Sequence, residues 1–541
     1  MALWNRLFLV CALLFALCAL CGPAPLRRSS PPALTARRER WILAGIVLLA
    51  LWARLWDFGV VPGGVNQDGA MAAVDAGALA GYGTDRFGML RPVYFTAWGY
   101  GQMSVMMSYL MAPLIRLFGM NVCTLRLPCL LCSLGGLGCL YFFARRAWGR
   151  GAALAVLFIA VVNPWHIMQS RWGLDCNLYP HFLLAGIWLL HKGVEGERKW
   201  VCLSMIPFGL SVYCYGIAGY TTPLFLLLCC AVLLGRKKVT WREAGLCVLL
   251  FLLLAWPFFA VLIINTFRLP TWATPLFTMP RFPDTVRSSD LLFFSENIPR
   301  QLWENLKNAV GLILLQHRDL PWNEVEGFGT LYLFSLPLAA LGAWTLWRRR
   351  GESGSAMTLL LFATGFLNAL LVRGANINRA NLVFYAMVIF VGVGLWRCVR
   401  SVRGGWAALP ALYLCAFLLF SHSYFGTWNE EISRHFLADF GEAVTAAEGA
   451  DVEAYYITQN SQYERAAAVS EILTLYYHDV DARWYRSGEY RERYHYGDET
   501  LWPLEGERAA YVVRAESAPR FEEAGYRVKY YGRFALAVPA A

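Results

Sequence analysis

The sequence predicts an all-α polytopic membrane helix bundle followed by a small external α/β domain. Three observations carry this. Hydrophobic residues make up 57% of the chain and charged residues 16%, and runs such as "WILAGIVLLALW", "LFLLLCCAVLL" and "CVLLFLLLAW" are too apolar and too numerous for one soluble core. Positive charge gathers in six clusters between the runs: 27–40, Arg145/Arg146/Arg150, Lys192/Arg198/Lys199, Arg236/Lys237/Lys238/Arg242, Arg348–Arg350 and Arg397/Arg400/Arg403. After residue 425 the pattern changes to short amphipathic helices and strands. An apolar run of about 20 residues crosses the hydrocarbon core as a helix. Helices are required because no backbone polar group can be left unpaired in lipid.

Placing all six clusters on the cytoplasmic side orders the spans. The stretch 3–21 reads as an uncleaved span with its N-terminus outside, or else as a signal peptide whose leading segment carries only Arg6. Further spans are expected near 41–60, 125–144, 152–167, 181–192, 200–217, 220–235, 244–264, 328–347, 356–372, 380–397 and 406–424, about 11–12 in all. The one at 181–192 is short and should start a few residues earlier. This threading leaves 61–124, 168–180, 265–327, 373–379 and 425–541 outside. It divides the chain into a transmembrane domain, 1–424, and an external domain, 425–541.

In the first external segment, "GAMAAVDAGALAGYG" has helical spacing. "GQMSVMMSYLMAPLIRLFG" reads as an interfacial helix, since a crossing there would move every later basic cluster to the other side. Segment 265–327, rich in Pro, Trp and Phe, fits a flap at the membrane surface. In the tail, "FLADFGEAVTAAEG", "ERAAAVSEILTLYYH" and "APRFEEAG" read as helices, and "EAYYIT", "AAYVVRA" and "YRVKYYGRFALAV" as strands.

Charge and cysteine exclude several classes. Residues 425–541 hold 12 Lys/Arg and 20 Asp/Glu, so the net charge of +11 leaves about +19 on the rest, where topology accounts for it. No nucleic-acid partner is implied. All 15 cysteines lie at or before Cys415, so the tail is no disulfide scaffold. "CLLC", 129–132, has redox or metal spacing but no further ligand nearby, and reads as packing. No internal repeat is evident, which argues against a transporter.

The ionisable residues expected near the outer face are Asp68, Asp75, Asp85, Arg86, Arg91, His166, Arg171, Asp175, Arg373 and Arg379. Two stretches concentrate polar groups: "NPWHIMQSRWGLDCNLYP", 163–180, and "RGANINRAN", 373–381. Polar groups at membrane depth are costly and mark sites. The fitting chemistry is group transfer from a lipid-linked phosphate. Arginine forks suit the phosphate, and one shielded carboxylate can take the acceptor proton. The phosphate leaving group needs charge neutralisation rather than a general acid, unlike the two-carboxylate plan of hydrolases.

These motifs, "PGGVNQDGA", "TDRFG", "FG…LRLP", "ARRAWGRGAAL", "NPWHIMQSRWGLDCNLYP" and "NRAN", resemble in order and spacing the GT-C glycosyltransferases. The similar branch is that of protein O-mannosyltransferases and the lipid A aminoarabinose transferase, glycosyltransferase family 39-like. The resemblance covers about 41–400. It implies a polyprenyl-phosphate sugar donor and inverting transfer at the outer face of the cell (plasma) membrane, to a lipid, wall-polymer or protein acceptor. It makes Asp68 the general base, gives Asp175 a role in orienting acceptor or sugar, and sets Arg379 against the donor phosphate. Arg373, Arg171 and His166 complete the expected binding set. Tyr94, Trp98, Gln102, Trp165, Trp172, Tyr215 and Tyr220 are expected to line the sugar site.

One departure is plain. The family's acidic motif is commonly Asp–Glu, and here Asp68 is followed by Gly69. Blander roles compete throughout. Asp68 fits a helix N-cap, Asp175 could pair with Arg171, both loop arginines could anchor the interface, and His166 could be a satisfied polar residue at a span end. The resemblance leaves room for a divalent cation, but no residue set has metal spacing, so no metal or cofactor is predicted. The rival functions are a transporter or flippase of lipid-linked sugars, and a non-catalytic subunit with the same fold.

Overall fold

The structure is a computed structural model that describes residues 3–22, 34–98, 101–283, 291–317, 319–459, 467–498, 501–504 and 507–540. Its helices, in chain order, are α1 (Leu3–Cys21), α2 (Ala36–Leu55), α3 (Gln67–Tyr82), α4 (Met106–Phe118), α5 (Val122–Trp148), α6 (Arg150–Val162), α7 (Pro164–Arg171), α8 (Tyr179–Val194), α9 (Lys199–Leu203), α10 (Met205–Ser211), α11 (Ala218–Gly235) and α12 (Trp241–Thr266). There follow α13 (Ile298–Ala309), α14 (Leu336–Arg348), α15 (Ser353–Leu371), α16 (Val383–Ser401), α17 (Gly405–Phe425), α18 (Thr427–His435), α19 (Ala438–Glu448), α20 (Ala467–Tyr477), α21 (Ala482–Tyr485), α22 (Gly488–Arg493) and α23 (Pro519–Glu523). Strands are β1 (Phe95–Thr96), β2 (Gln102–Met103), β3 (Trp272–Ala273), β4 (Thr278–Met279), β5 (Ala454–Ile457), β6 (Tyr494–Tyr496), β7 (Ala509–Arg514), β8 (Tyr526–Tyr531) and β9 (Phe534–Pro539).

The chain forms two units. One comprises 1–58, 129–259 and 286–425; the other comprises 59–128, 260–285 and 426–541. One cut, at 425/426, lies within a residue of the expected boundary, and the second unit also takes in 59–128 and 260–285. The first external segment groups with the tail because its backbone is bonded there: Gly63 N–H donates to Asn429 Oδ1 at 2.7 Å and Val65 N–H to the Phe436 carbonyl at 3.0 Å.

In the first unit, helices pack closely through small residues. A Cβ on Gly342 of α14 would lie 1.8 Å from the Phe390 carbonyl oxygen, and one on Gly394 of α16 would lie 2.0 Å from that of Leu338. Only glycine allows these backbones to approach so near. α1 packs on the same unit: Asn5 Nδ2 donates to the Gly327 carbonyl at 2.6 Å, and Phe8 meets Phe334 edge to face. Among the described residues seven helices are long and apolar enough to cross a membrane, or eight if the bent pair α6–α7 is one span. The expected count of 11–12 is larger because it includes α2, whose first turn is charged, and shorter pieces. α8 has 16 residues and α14 has 13, and 199–211 is broken at Ser204. The expected span at 328–347 is α-helical only from Leu336, after a 3-10 turn at Leu333–Ser335.

α6 and α7 meet at 58°. Proline supplies no N–H and disfavours helical geometry in the residue before it. Asn163 accordingly leaves the helix and starts the next one, its Oδ1 accepting from His166 N–H at 3.1 Å. Several described members of the basic clusters are linked within this unit: Glu39 joins Arg145 at 2.9 Å and Arg150 at 3.1 Å, Lys238 reaches Glu195 at 3.3 Å, and the Arg236 guanidinium donates to the Gly351 carbonyl at 3.2 Å.

The second unit carries a five-stranded sheet in the order β6-β5-β7-β9-β8, with β6, β5 and β7 parallel and β9 and β8 antiparallel. Its core on one face includes Tyr511, Val513, Phe521, Ala535 and Ala537. "YRVKYYGRFALAV" is a hairpin of two strands, turning at Gly532 with φ +56°. Strand β6 and helix α18 have no counterpart in the sequence reading. The expected helix over "ERAAAVSEILTLYYH" is described from Ala467, and the residues ahead of it lie outside the described set.

Candidate active site

Asp68 stands in the first turn of α3, whose N-cap is Asn66 rather than Asp68: the Asn66 Oδ1 accepts from Gly69 N–H at 3.1 Å. The capping role is thus filled by another residue. Asp68 is half-buried and accepts a hydrogen bond from Trp98 Nε1 at 2.6 Å. A carboxylate in a first helical turn also faces the positive end of the helix dipole. The loop ahead is pinned by Arg126 of α5, whose Nη2 donates to the carbonyls of Pro62 at 2.6 Å and Gly64 at 2.9 Å. Gln102 pairs with Thr96 across the β1–β2 hairpin. Its side-chain oxygen is buried without a hydrogen-bond partner among the described residues. Tyr94 is buried, its hydroxyl 3.4 Å from Ser104 Oγ.

Two neighbouring acids have structural work. Asp75 is fully buried and accepts from Arg86 N–H at 3.0 Å and Arg86 Nη1 at 2.5 Å, while Arg86 Nη2 donates to the Thr96 carbonyl at 2.8 Å. This ties α3 to β1. Burial pushes the Asp75 carboxyl up to about 6 against the pull of Arg86. Asp85 is also raised by burial, although the N–H groups of Met89 and Phe87 bind it.

The other polar group lies in the first unit, where Asn381 joins stretches about 200 residues apart. Its Oδ1 accepts from Trp165 Nε1 at 2.8 Å and Gln169 Nε2 at 2.6 Å, and its Nδ2 donates to the Cys176 carbonyl at 2.9 Å. Asp175 is buried at the start of the short turn 175–177. Arg379 is half-buried and its Nη1 donates to the Arg373 carbonyl at 3.0 Å. Asn368 braces this loop from α15, donating to the Arg379 carbonyl at 2.7 Å and accepting from Tyr220 Oη at 2.6 Å. Arg373 itself is exposed on the same turn. The two polar stretches singled out in the sequence therefore do come together.

Two expected binding residues are placed differently. Arg171 is fully buried, and its guanidinium donates to the carbonyls of Ala53, Trp56 and Asp57 at 3.2, 2.6 and 3.2 Å and lies 5.0 Å from the Phe425 ring. It caps the end of α2, so it is a brace rather than a phosphate ligand. His166 is buried between Arg54 Nη2, at 2.9 Å from its Nδ1, and Tyr385 Oη, at 3.0 Å from its Nε2; His181 Nδ1 lies 2.7 Å from the same hydroxyl. It belongs to a closed interior network. Asn381 lies in the stretch 373–381 already singled out, whereas Arg54 and Tyr385 were not among the expected site residues. A lone arginine within the apolar run "LALWARLW" was the available signal. Among the described residues no three His, Cys, Asp or Glu side chains group as a metal site.

Comparison with known proteins adds to this geometry. Residues 102–263 match the family model described as dolichyl-phosphate-mannose-protein mannosyltransferase. Over 145 residues the chain is 28% identical to the Bacillus subtilis (strain 168) protein named "Putative mannosyltransferase YkcB", a match spanning 26% of this chain and 20% of that relative. Among solved structures, ArnT from Cupriavidus metallidurans bound to undecaprenyl phosphate aligns with a TM-score of 0.59 at 14% identity, covering 94% of this chain and 99% of that one. The apo form of the same protein aligns equally, over 93% and 98%. The likeness to ArnT over nearly the whole length of both chains shows a shared fold, and the match over 102–263 places a mannosyltransferase-like segment within it.

Proposed function

We propose that the protein is a membrane glycosyltransferase that moves a sugar from a polyprenyl-phosphate donor to an acceptor on the outer face of the cell membrane. The observation that carries this reading is Asp68, half-buried in the first turn of α3 and oriented by the Trp98 N–H. The donor class is supported by the dolichyl-phosphate family description and by the undecaprenyl phosphate bound to ArnT.

In the proposed step an acceptor oxygen attacks the anomeric carbon as the bond to the phosphate oxygen breaks. The phosphate leaves, the configuration inverts, and Asp68 takes the acceptor proton. Arg379, with Arg373 beside it, meets the phosphate charge. Asp175 orients acceptor or sugar, and the buried Gln102 oxygen is an acceptor for a sugar hydroxyl. The C-terminal sheet domain is exposed on the outer side of the membrane.

Membranes incubated with labelled polyprenyl-phosphate sugar test the reading. Wild-type protein should pass label to an acceptor, and Asp68→Asn should lose at least about a hundredfold in turnover, the usual size of a general-base contribution, while still inserting and binding donor. Near-wild-type turnover in Asp68→Asn would remove Asp68 from the mechanism. Label that crosses the membrane still attached to its lipid would mark a flippase instead.

A further inference from the structure

Away from Asp68, the second unit holds a cavity of about 490 Å³ between the C-terminal halves of α3 and α4, lined by Ala80, Tyr82, Gly83, Arg91, Tyr109 and Arg116 among others. Two guanidinium groups face it, and neither has a carboxylate partner among the described residues. Arg116 uses its Nε on the Ala80 carbonyl at 2.6 Å, which neutralises one open carbonyl at the end of α3 and leaves its two terminal nitrogens available. Asp481 reaches the Tyr82 hydroxyl, but Arg483 lies 4.1 Å over the same ring and offsets that charge. Asp85, whose charge also reaches Tyr109, and the open carbonyls at the end of α3 count against the arginines, and Arg91 and Arg116 together leave the lining with a positive balance.

The backbone supplies a second, independent observation. Arg91 has φ +37°, in the region that favours glycine. It is held there by its N–H donating to the Gly83 carbonyl at 3.0 Å, while the Tyr109 hydroxyl donates to the carbonyl of the next residue, Pro92, at 3.1 Å. A strained non-glycine residue aimed at a cavity points to a task for its side chain. Apolar groups flank the arginines: Leu117 and Phe118 at the end of α4 are 73% and 62% exposed, and Phe87 and Leu90 of the 83–91 loop are exposed as well. Cationic groups beside exposed apolar side chains are the pattern of a segment seated in a lipid interface.

We infer that this cavity binds the phosphate of an anionic lipid headgroup, with Arg91 and Arg116 as the paired cations and Leu117 and Phe118 against the acyl region. The inference goes beyond the transferase reading and does not depend on it, because its readout is lipid retention rather than turnover.

The test is native mass spectrometry of the full chain in detergent, titrated with phosphatidylglycerol, phosphatidylcholine or inorganic phosphate. One phosphatidylglycerol should bind more tightly than the rest. Arg91→Gly removes the charge while relaxing the backbone, and should weaken that site about tenfold, the scale of one charge-assisted hydrogen bond, with the protein still folded by thermal unfolding. Arg116→Gln should act in the same direction. Retention equal to wild type in both variants overturns the site. Displacement of the lipid by equimolar inorganic phosphate, or equal affinity for phosphatidylcholine, overturns the assignment to an anionic lipid.

Discussion

Asp68 and Trp98 form the smallest arrangement on which the proposed function turns. The indole N–H fixes the carboxylate at 2.6 Å without competing for the acceptor proton. Trp98→Phe keeps the ring and removes the donor. In steady-state transfer assays kcat should fall about tenfold, the scale of a hydrogen bond to a charged group, with KM little changed. A change confined to KM would instead make Trp98 a sugar platform, as the sequence suggested. Asp75 gives a prediction in pH. Its folded carboxyl sits near 6, above the ordinary 3.8, so the folded state holds the proton more tightly than the unfolded chain does. Stability from this group is therefore greatest below about 4 and declines as pH rises towards 6, with a slope of up to about 1.4 kcal/mol per pH unit. Thermal unfolding of Asp75→Asn, itself less stable because Arg86 loses its counter-charge, should lack that slope between pH 4 and 6. These two residues were both legible as polar groups in the sequence. Their different tasks were not, since burial and partner depend on β1 and the 83–91 loop folding back on α3.

At the level of elements, the membrane unit rests on close approaches and interrupted helices. Gly342→Ala would set a methyl group against the Phe390 carbonyl. It should destabilise the protein by about 1–3 kcal/mol, the range for overpacking, and lower the midpoint of thermal unfolding in detergent. Unchanged unfolding would mean that α14 and α16 separate easily. Helix positions followed from apolar runs, because the lipid leaves the backbone only one way to satisfy itself. Helix breaks were less legible. Pro164 signalled the bend after Asn163, and Pro207, which cannot donate to the carbonyl of residue 203, was an unread signal for the break at Ser204. In the tail, "EAYYIT" and "AAYVVRA" were readable as short apolar runs rich in aromatic and β-branched residues. Strand β6 was not, being three residues stabilised by pairing with β5 rather than by its own pattern.

Across the whole molecule, sidedness ties composition to function. Glu39 joins Arg145, Glu195 joins Lys238, and Arg236 binds the Gly351 carbonyl, so several basic clusters are linked within the membrane unit. The proposed topology puts the acidic C-terminal domain on the side of the membrane opposite these clusters. A Glu523→Cys substitution, at an exposed position in a region without native cysteine, should react with a membrane-impermeant maleimide in intact cells above the parent signal. Labelling only after lysis would reverse the topology. By itself the sequence determined the membrane class, the order of most spans, the small α/β tail and the polar stretches from which a site could be built. These are matters of local composition, since hydropathy and charge act on each segment wherever its neighbours lie. Tertiary structure alone decided that Asn381 binds the 163–180 stretch, that Arg171 braces α2, and that the first external segment groups with the tail. Each of those depends on hydrogen-bond partners tens to hundreds of residues away, and a buried polar group takes its role from whichever partner the fold delivers.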